Sequence, residues 1–366
     1  MSPDHASPWH LTDRAYRVPL TVGPADIARV DLPITIDIDI ESELAPSHTR
    51  VVELKAAGDV LDDDVAHQID PTSTATRWTL TLLLAGETPI DAHRHYQLYF
   101  NARRGSERSS GDDLVSIDEI ETYRDQPTWR IDTVRATYYF HQIGAGFASM
   151  IDSSGNDWIS YRPGGGPAGE YRGIPNVIHP ESGFHPGDEG ANSELRAHGP
   201  IRAEIAIETD DEAWAGRWEI FPAFARFTIE RAAHPYWYLY EGTPGGALTP
   251  EEDALVRSDG TRTPAAEAWT DDLPNPEWVY FEAENASDVL FHAHHEDDAA
   301  VDSYWPMEGE MTVFGFGRDG LDKFLEGTPR QFTVGFVTGG PFDEVATKIE
   351  AAYRPVDTIV HDTAVR

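Results

Sequence analysis

Val30–Ile40 reads VDLPITIDIDI, with Leu32, Ile34, Ile36, Ile38 and Ile40 alternating against Asp31, Thr35, Asp37 and Asp39. A side-chain period of two places the apolar set on one face of a strand and the acidic set on the other. The same period returns at Trp78, Leu80, Leu82 and Leu84, and again at Tyr96, Leu98 and Phe100. Half-buried strands of this kind predict a small antiparallel β-sandwich at the start of the chain.

Beyond it, from Asn101 to Thr128, the alternation dissolves into ARRGSERSSGDD and an acidic stretch ending in proline, which reads as a linker. A boundary near residue 128 follows, with residues 1–128 as an N-terminal module and 129–366 as a second, larger domain. Strand-like segments then follow closely: Thr137–Gln142, Phe147–Ile151, Ile201–Glu208, Arg217–Phe221, Arg226–Ile229, Tyr236–Tyr240, Trp278–Glu282, Val289–His292, Met311–Phe316 and Phe332–Val337. Such an aromatic-rich series predicts a large antiparallel sandwich. One helix is expected over Phe342–Tyr353, where Phe342, Val345, Ile349 and Tyr353 share a face after the breaker Gly339-Gly340-Pro341. A short helical turn is expected over Leu321–Leu325. The predicted class is therefore all-β, with a small sandwich, a large sandwich and one C-terminal helix.

The chain carries 64 acidic and 28 basic side chains over 366 residues, a formal net charge of −36, and only Lys55, Lys323 and Lys348 are lysine. Such a surface repels itself at ordinary ionic strength, whereas at molar salt the screening length falls to about 3 Å. Acid-rich, lysine-poor composition reads as adaptation to high salt. Aromatic residues make up 11% of the chain, too many for a disordered acidic segment. No basic stripe is available to neutralise phosphates, so nucleic acid is not an expected partner. No run is long and apolar enough to span a membrane, so no membrane partner is expected either. Met1–Arg14 lacks the apolar core of a Sec-type signal peptide, and a cytoplasmic location is expected. Without cysteine there are no disulfides, thiolate nucleophiles or cysteine-based zinc sites.

Chemistry concentrates in three places. The stretch Arg162–His198, containing PGGGPAGEYRGIPNVIHPESGFHPGDEG, is too long for an ordinary connection, and it offers Glu170, Tyr171, Arg172, Asn176, His179 and His185. Phe291–Asp298, FHAHHEDD, places His292 and His294 on one strand face and His295 on the other. Together with Glu296, Asp297 and Asp298 these histidines could supply an acid, a base or ligands to a divalent cation. The spacing matches no specific metal motif, so no metal is assigned and no other cofactor is expected. Tyr236–Gly246, YWYLYEGTPGG, runs an aromatic strand into a turn and puts Tyr240 and Glu241 at its end. Trp158, Trp214, Trp218, Trp237, Trp278 and Trp305 all fall in the second domain. Aromatic faces for sugar C–H surfaces and polar groups for hydroxyls make an oligo- or polysaccharide the expected substrate.

Tyr139–Tyr161, YFHQIGAGFASMIDSSGNDWISY, resembles the opening hairpins of galactose-mutarotase-like β-supersandwich proteins. The resemblance extends over roughly residues 129–340 and implies a supersandwich and a carbohydrate-directed activity. The group includes sugar epimerases, domains of glycoside hydrolases and phosphorylases, and polysaccharide lyases. The first reading is a lyase that cleaves a uronate-containing glycan by β-elimination. In it Arg172 and Asn176 neutralise the carboxylate, His179 or His185 takes the proton, and Tyr240 or Tyr171 protonates the leaving oxygen. Glu170, His294, His295 and Trp218 complete the substrate-binding set. The second reading is a hydrolase or epimerase using Glu241 or Glu219 with a histidine, and the third is a non-catalytic carbohydrate-binding protein.

Overall fold

The computed structural model describes residues 8–40, 46–74, 76–102, 113–164 and 173–366. The chain is all-β, with one α-helix, Phe342–Tyr353, among the described residues. It forms two compact units, one of Met1–Leu114 with Gly199–Arg202 and Glu350–Arg366, the other of Val115–His198 with Ala203–Ile349.

In the first unit the strands Thr358–Val360, Tyr16–Val22, Arg94–Ala102, Pro46–Leu54 and Val60–Val65 lie side by side in that order, and Ala364–Val365 also pairs with Tyr16–Val22. A second sheet orders Arg29–Asp39, Arg77–Thr88 and His67–Pro71. The alternation in VDLPITIDIDI is realised: Leu32, Ile34, Ile36, Ile38 and Ile40 are buried, while Asp31, Asp37 and Asp39 are exposed. Leu80, Leu82 and Leu84 are fully buried on the paired strand Arg77–Thr88. The acids thus occupy the solvent face that the pleat allots to them. From this charge distribution we expect the thermal midpoint to rise as potassium chloride is taken from 0.1 to ~3 M, since added salt screens the repulsion. A midpoint that is flat or falls over that range would remove the high-salt reading.

The second unit is built on a nine-stranded sheet running Ala191–His198, Ala203–Thr209, Ala215–Ile220, Phe224–Arg231, Arg330–Thr338, Asp288–His294, Trp278–Glu282, Ala254–Arg257 and Arg262–Pro264. Two four-stranded sheets cover one of its faces. One orders Gly146–Asp152, Ala136–His141, Gln126–Thr133 and Val115–Tyr123; the other orders Tyr238–Gly242, Met311–Phe316, Asp302–Met307 and Trp269–Asp271. Aromatic side chains fill the layer between. Phe147 meets Trp218 at 4.6 Å between ring centroids, Tyr238 stacks on Phe332 at 4.4 Å, and Tyr240 stacks on His292 at 4.8 Å. The covering sheets are joined by Gly173 and Ile174, which bridge Glu241 on one side and Phe147 on the other.

Two expectations are corrected. Leu321–Leu325 is no helical turn, because Arg318–Asp319 and Asp322–Lys323 form a hairpin turned by Gly320 at positive φ. The stretch expected to link two modules carries strands at Val115–Tyr123 and Gln126–Thr133; residues 103–112 lie outside the described residues. In VSIDEIETY a register shift between Ile120 and Tyr123 breaks the period of two, so the strand is hidden in the sequence.

Candidate functional site

The outer face of the four-stranded sheet carrying Tyr238–Gly242 is set by alternation. Tyr238 and Tyr240 point to the nine-stranded sheet, which leaves Leu239 and Glu241 on the opposite side. On the neighbouring strand Phe314 and Phe316 point inward, so Val313 and Gly315 share the outer face with Glu241. A methyl group on Gly315 would fall 2.1 Å from Leu239 Cδ2 and 3.1 Å from Arg318 Cδ. The missing side chain makes room for Leu239 and Arg318 to lie across the sheet.

Glu241 is only 5% exposed. Asn176, fully buried, donates its side-chain amide to Glu241 Oε2 at 2.8 Å, and its own carbonyl oxygen accepts the backbone N–H of His179 at 3.3 Å. The backbone N–H of Gly173 donates to the Glu241 carbonyl and that of Glu241 to the Gly173 carbonyl, each at 3.2 Å. Gly173 adopts φ +80°, and a Cβ there would meet the Phe147 carbonyl oxygen at 2.1 Å, so only glycine fits between the two strands. The long Gly/Pro segment is in this way tied down on the carboxylate.

One cation, Arg318, lies beside it. Arg318 Nη1 donates to Ser303 Oγ at 2.9 Å. Burial lowers the pKa of Arg318, and the negative charge of Glu241 opposes that effect. The Arg318 guanidinium carbon lies 5.9 Å and Lys323 Nζ 4.3 Å from the Trp237 ring centroid. Two arginine or lysine side chains over one indole stand out in a chain of net charge −36. Nearby, His185 Nε2 pairs with Asp188 Oδ2 at 3.1 Å, and the His179 and His185 rings lie edge to face with centroids 6.2 Å apart. Burial pushes Asp188 upward, but the His185 hydrogen bond and the Gly183 backbone N–H outweigh it and hold Asp188 down at about 2.

The expected site residues therefore divide. Asn176, His179, His185 and Glu241 belong to one neighbourhood; Glu170, Tyr171 and Arg172 lie outside the described residues. Tyr240, expected as an acid, is fully buried, its hydroxyl donating to the Trp158 carbonyl at 2.5 Å, so it is a core residue out of reach of substrate. Burial raises its pKa well above the ordinary phenol value. Trp218, expected to bind substrate, is likewise fully buried between Phe147 and Phe227. Glu219 sits on the far face of the nine-stranded sheet, in register with Arg226 and 3.9 Å from Arg217.

His294 and His295 are not part of the Glu241 neighbourhood. His294 faces inward against Phe332, with Nδ1 2.6 Å from Glu277 Oε2 and Nε2 3.2 Å from Glu296 Oε2. Burial works against its protonation, but hydrogen bonds to Glu277 and Glu296 prevail and raise its pKa to about 9. His295 points the other way and meets Thr333 Oγ1 at 2.7 Å; burial first and Arg226 second lower its pKa to about 3. Among the described residues, Glu277, His294 and Asp298 bring ligand atoms within 4.8 Å of one another, close enough for a metal ion. Their groups are already engaged, His294 with Glu277 and Asp298 with Arg330. The arrangement serves as an internal ion-pair network around a charged imidazole. Arg318, Ser303 and Glu277 were not singled out from sequence; the glycine-interrupted strand MTVFGFGR, Met311–Arg318, was the one available sign of close approach.

No family model matches the chain, and no curated protein matches it. Among solved structures it is similar to the protein of "Crystal Structure Analysis of HI1317", at 10% identity and a TM-score of 0.43 over 61% of this chain and 99% of that one. It is also similar to a putative mutarotase, YeaD, from Salmonella typhimurium, at 10% identity and a TM-score of 0.37 over 62% of this chain and 97% of that one. No helix among the described residues is long and apolar enough to cross a membrane.

Proposed function

We propose that this protein is a carbohydrate-active enzyme that performs acid–base chemistry on a sugar, epimerisation or hydrolysis, with Glu241 as its working carboxylate. One observation carries the reading. Glu241 is nearly enclosed, is fixed by the Asn176 amide at 2.8 Å, and shares its sheet face with the Arg318 cation. A carboxylate oriented by a hydrogen bond and shielded from water suits proton transfer at carbon or oxygen. A neighbouring guanidinium suits the negative charge that develops on a sugar oxygen. His179, whose backbone is bound to the same Asn176, is the histidine partner in this scheme. The β-elimination scheme loses Tyr240 as its acid, since that side chain is enclosed in the core, and would rest on Tyr171, which lies outside the described residues.

The test is a panel of reducing sugars and uronate-containing polysaccharides at molar salt, followed for anomer or epimer exchange, for new reducing ends and for absorbance of unsaturated uronate. Exchange or hydrolysis that disappears with Glu241→Gln supports the proposal. Rising uronate absorbance that survives this substitution would return the assignment to a lyase.

A further inference from the structure

We infer that Trp305 forms a second sugar subsite, so that the substrate is a saccharide of at least two rings rather than a free monosaccharide. The inference rests on the Glu241 reading. Strand Asp302–Met307 pairs with Met311–Phe316, which pairs with Tyr238–Gly242, and the registers put Trp305 opposite Val313 and Val313 opposite Glu241. Side chains directly opposite in antiparallel strands share a face. That face is the outer one: Tyr304, Phe314 and Tyr240 all point the other way, to Phe281 of the nine-stranded sheet, at 6.1, 6.0 and 5.1 Å between centroids. Trp305 and Glu241 therefore stand in one cross-strand row, two strand spacings apart, about 9.5 Å.

Val313, between them, is buried. Trp305 itself is 57% exposed, whereas Trp158, Trp218, Trp237 and Trp278 are fully buried. An indole held in water on a strand, in line with the proposed catalytic carboxylate, offers a flat apolar surface to the C–H face of a pyranose. The span from Trp305 to Glu241 exceeds one ring and fits a ring together with its neighbour. The hairpin that supplies Arg318 is bonded to the same strand through Ser303, two residues before Trp305 and on the same face, so cation and platform are tied to one strand. A chain laid across the strands would place one ring on Trp305 and the next at Glu241.

Calorimetry on the Glu241→Gln protein at molar salt decides the matter, with cellotetraose, a uronate tetrasaccharide and the matching monosaccharides as probes. We expect at least one tetrasaccharide to bind more tightly than its monosaccharide. Adding Trp305→Ala should weaken that tetrasaccharide by about tenfold or more, Trp305→Phe should retain most of the affinity, and monosaccharide binding should be unchanged. Equal tetrasaccharide affinity with and without the indole, no gain of tetrasaccharide over monosaccharide, or no binding of any probe would each overturn the inference. So would a change of oligomeric state, without a change in sugar affinity, on removing the indole. If Glu241→Gln leaves turnover intact while the Trp305 affinities behave as expected, the proposed carboxylate fails and the subsite stands.

Discussion

Replacing Glu277 with glutamine should destabilise the protein by about 3–5 kcal/mol, the usual consequence of removing one partner from a buried ion pair. Glu277 and His294 are both enclosed, 2.6 Å apart, and Glu277 Oε1 also accepts the backbone N–H of Asp298 at 2.8 Å. Glutamine preserves shape and part of the hydrogen bonding but leaves the imidazolium without its principal counter-charge. The same pair shapes the pH dependence of stability. With a folded pKa of about 9 against an ordinary 6.5, His294 contributes stability that is full below about pH 6.5 and is lost as pH rises through 9. The shift corresponds to roughly 3 kcal/mol at the acid end of that window.

Asp302 adds to the trend, since burial above all raises its pKa to about 7 and its ionisation in the folded state opposes stability as pH rises from the ordinary carboxylate value towards 7. Asp188, held at about 2, acts in the opposite sense and costs stability only in strong acid. Thermal midpoints at fixed molar salt should therefore decline between pH 6.5 and 9, and Glu277→Gln should flatten that decline. A wild-type midpoint that does not move between these values, or a variant within about 1 kcal/mol of the parent, would dismiss the charged-histidine account; such small losses are what an exposed pair gives.

What the sequence revealed, and what it concealed, follows from the range of the interactions. The strand Arg29–Asp39 and the helix Phe342–Tyr353 were legible because each declares its buried face within a few residues, by a period of two in one and of 3.6 in the other. Glu241 was legible as a carboxylate at the end of an aromatic strand, and Asn176 as a polar residue in a long Gly/Pro stretch. Their contact was not, because 65 residues separate them and the link runs through Gly173 and Ile174 between two sheets. The same limit explains Tyr240 and Trp218. A tyrosine beside a glutamate on a strand necessarily faces the other way, and here that way is the core. His294 and His295 split for the identical reason, one into an acidic enclosure and one toward Thr333. Arg318 lay hidden because its role depends on the absence of a side chain at Gly315, a cross-strand neighbour of Leu239.

Glu241→Gln should reduce turnover by about 10²–10⁴-fold, the range spanned by loss of a positioned acid–base group. The amide is close in shape to the carboxylate, and its oxygen can still accept from Asn176, so folding and substrate affinity should be largely preserved. The loss should then appear in kcat more than in KM, which separates a proton-transferring group from one that only binds. Asn176→Ala should also lower kcat, but less, because it frees the carboxylate to rotate without removing it; it should cost about 1–3 kcal/mol of stability as well, since a buried acceptor loses its donor. Arg318→Lys, which keeps a cation but loses the planar fork that reaches Ser303, should fall between the two in kcat. This ordering, carboxylate above cation above amide, follows from how directly each group meets the reacting atoms. If Asn176→Ala proves as damaging to kcat as Glu241→Gln while the latter leaves pH–rate behaviour untouched, the carboxylate is a structural anchor for the Gly173–His179 segment, and the proton-transferring group must be sought at His179 or His185.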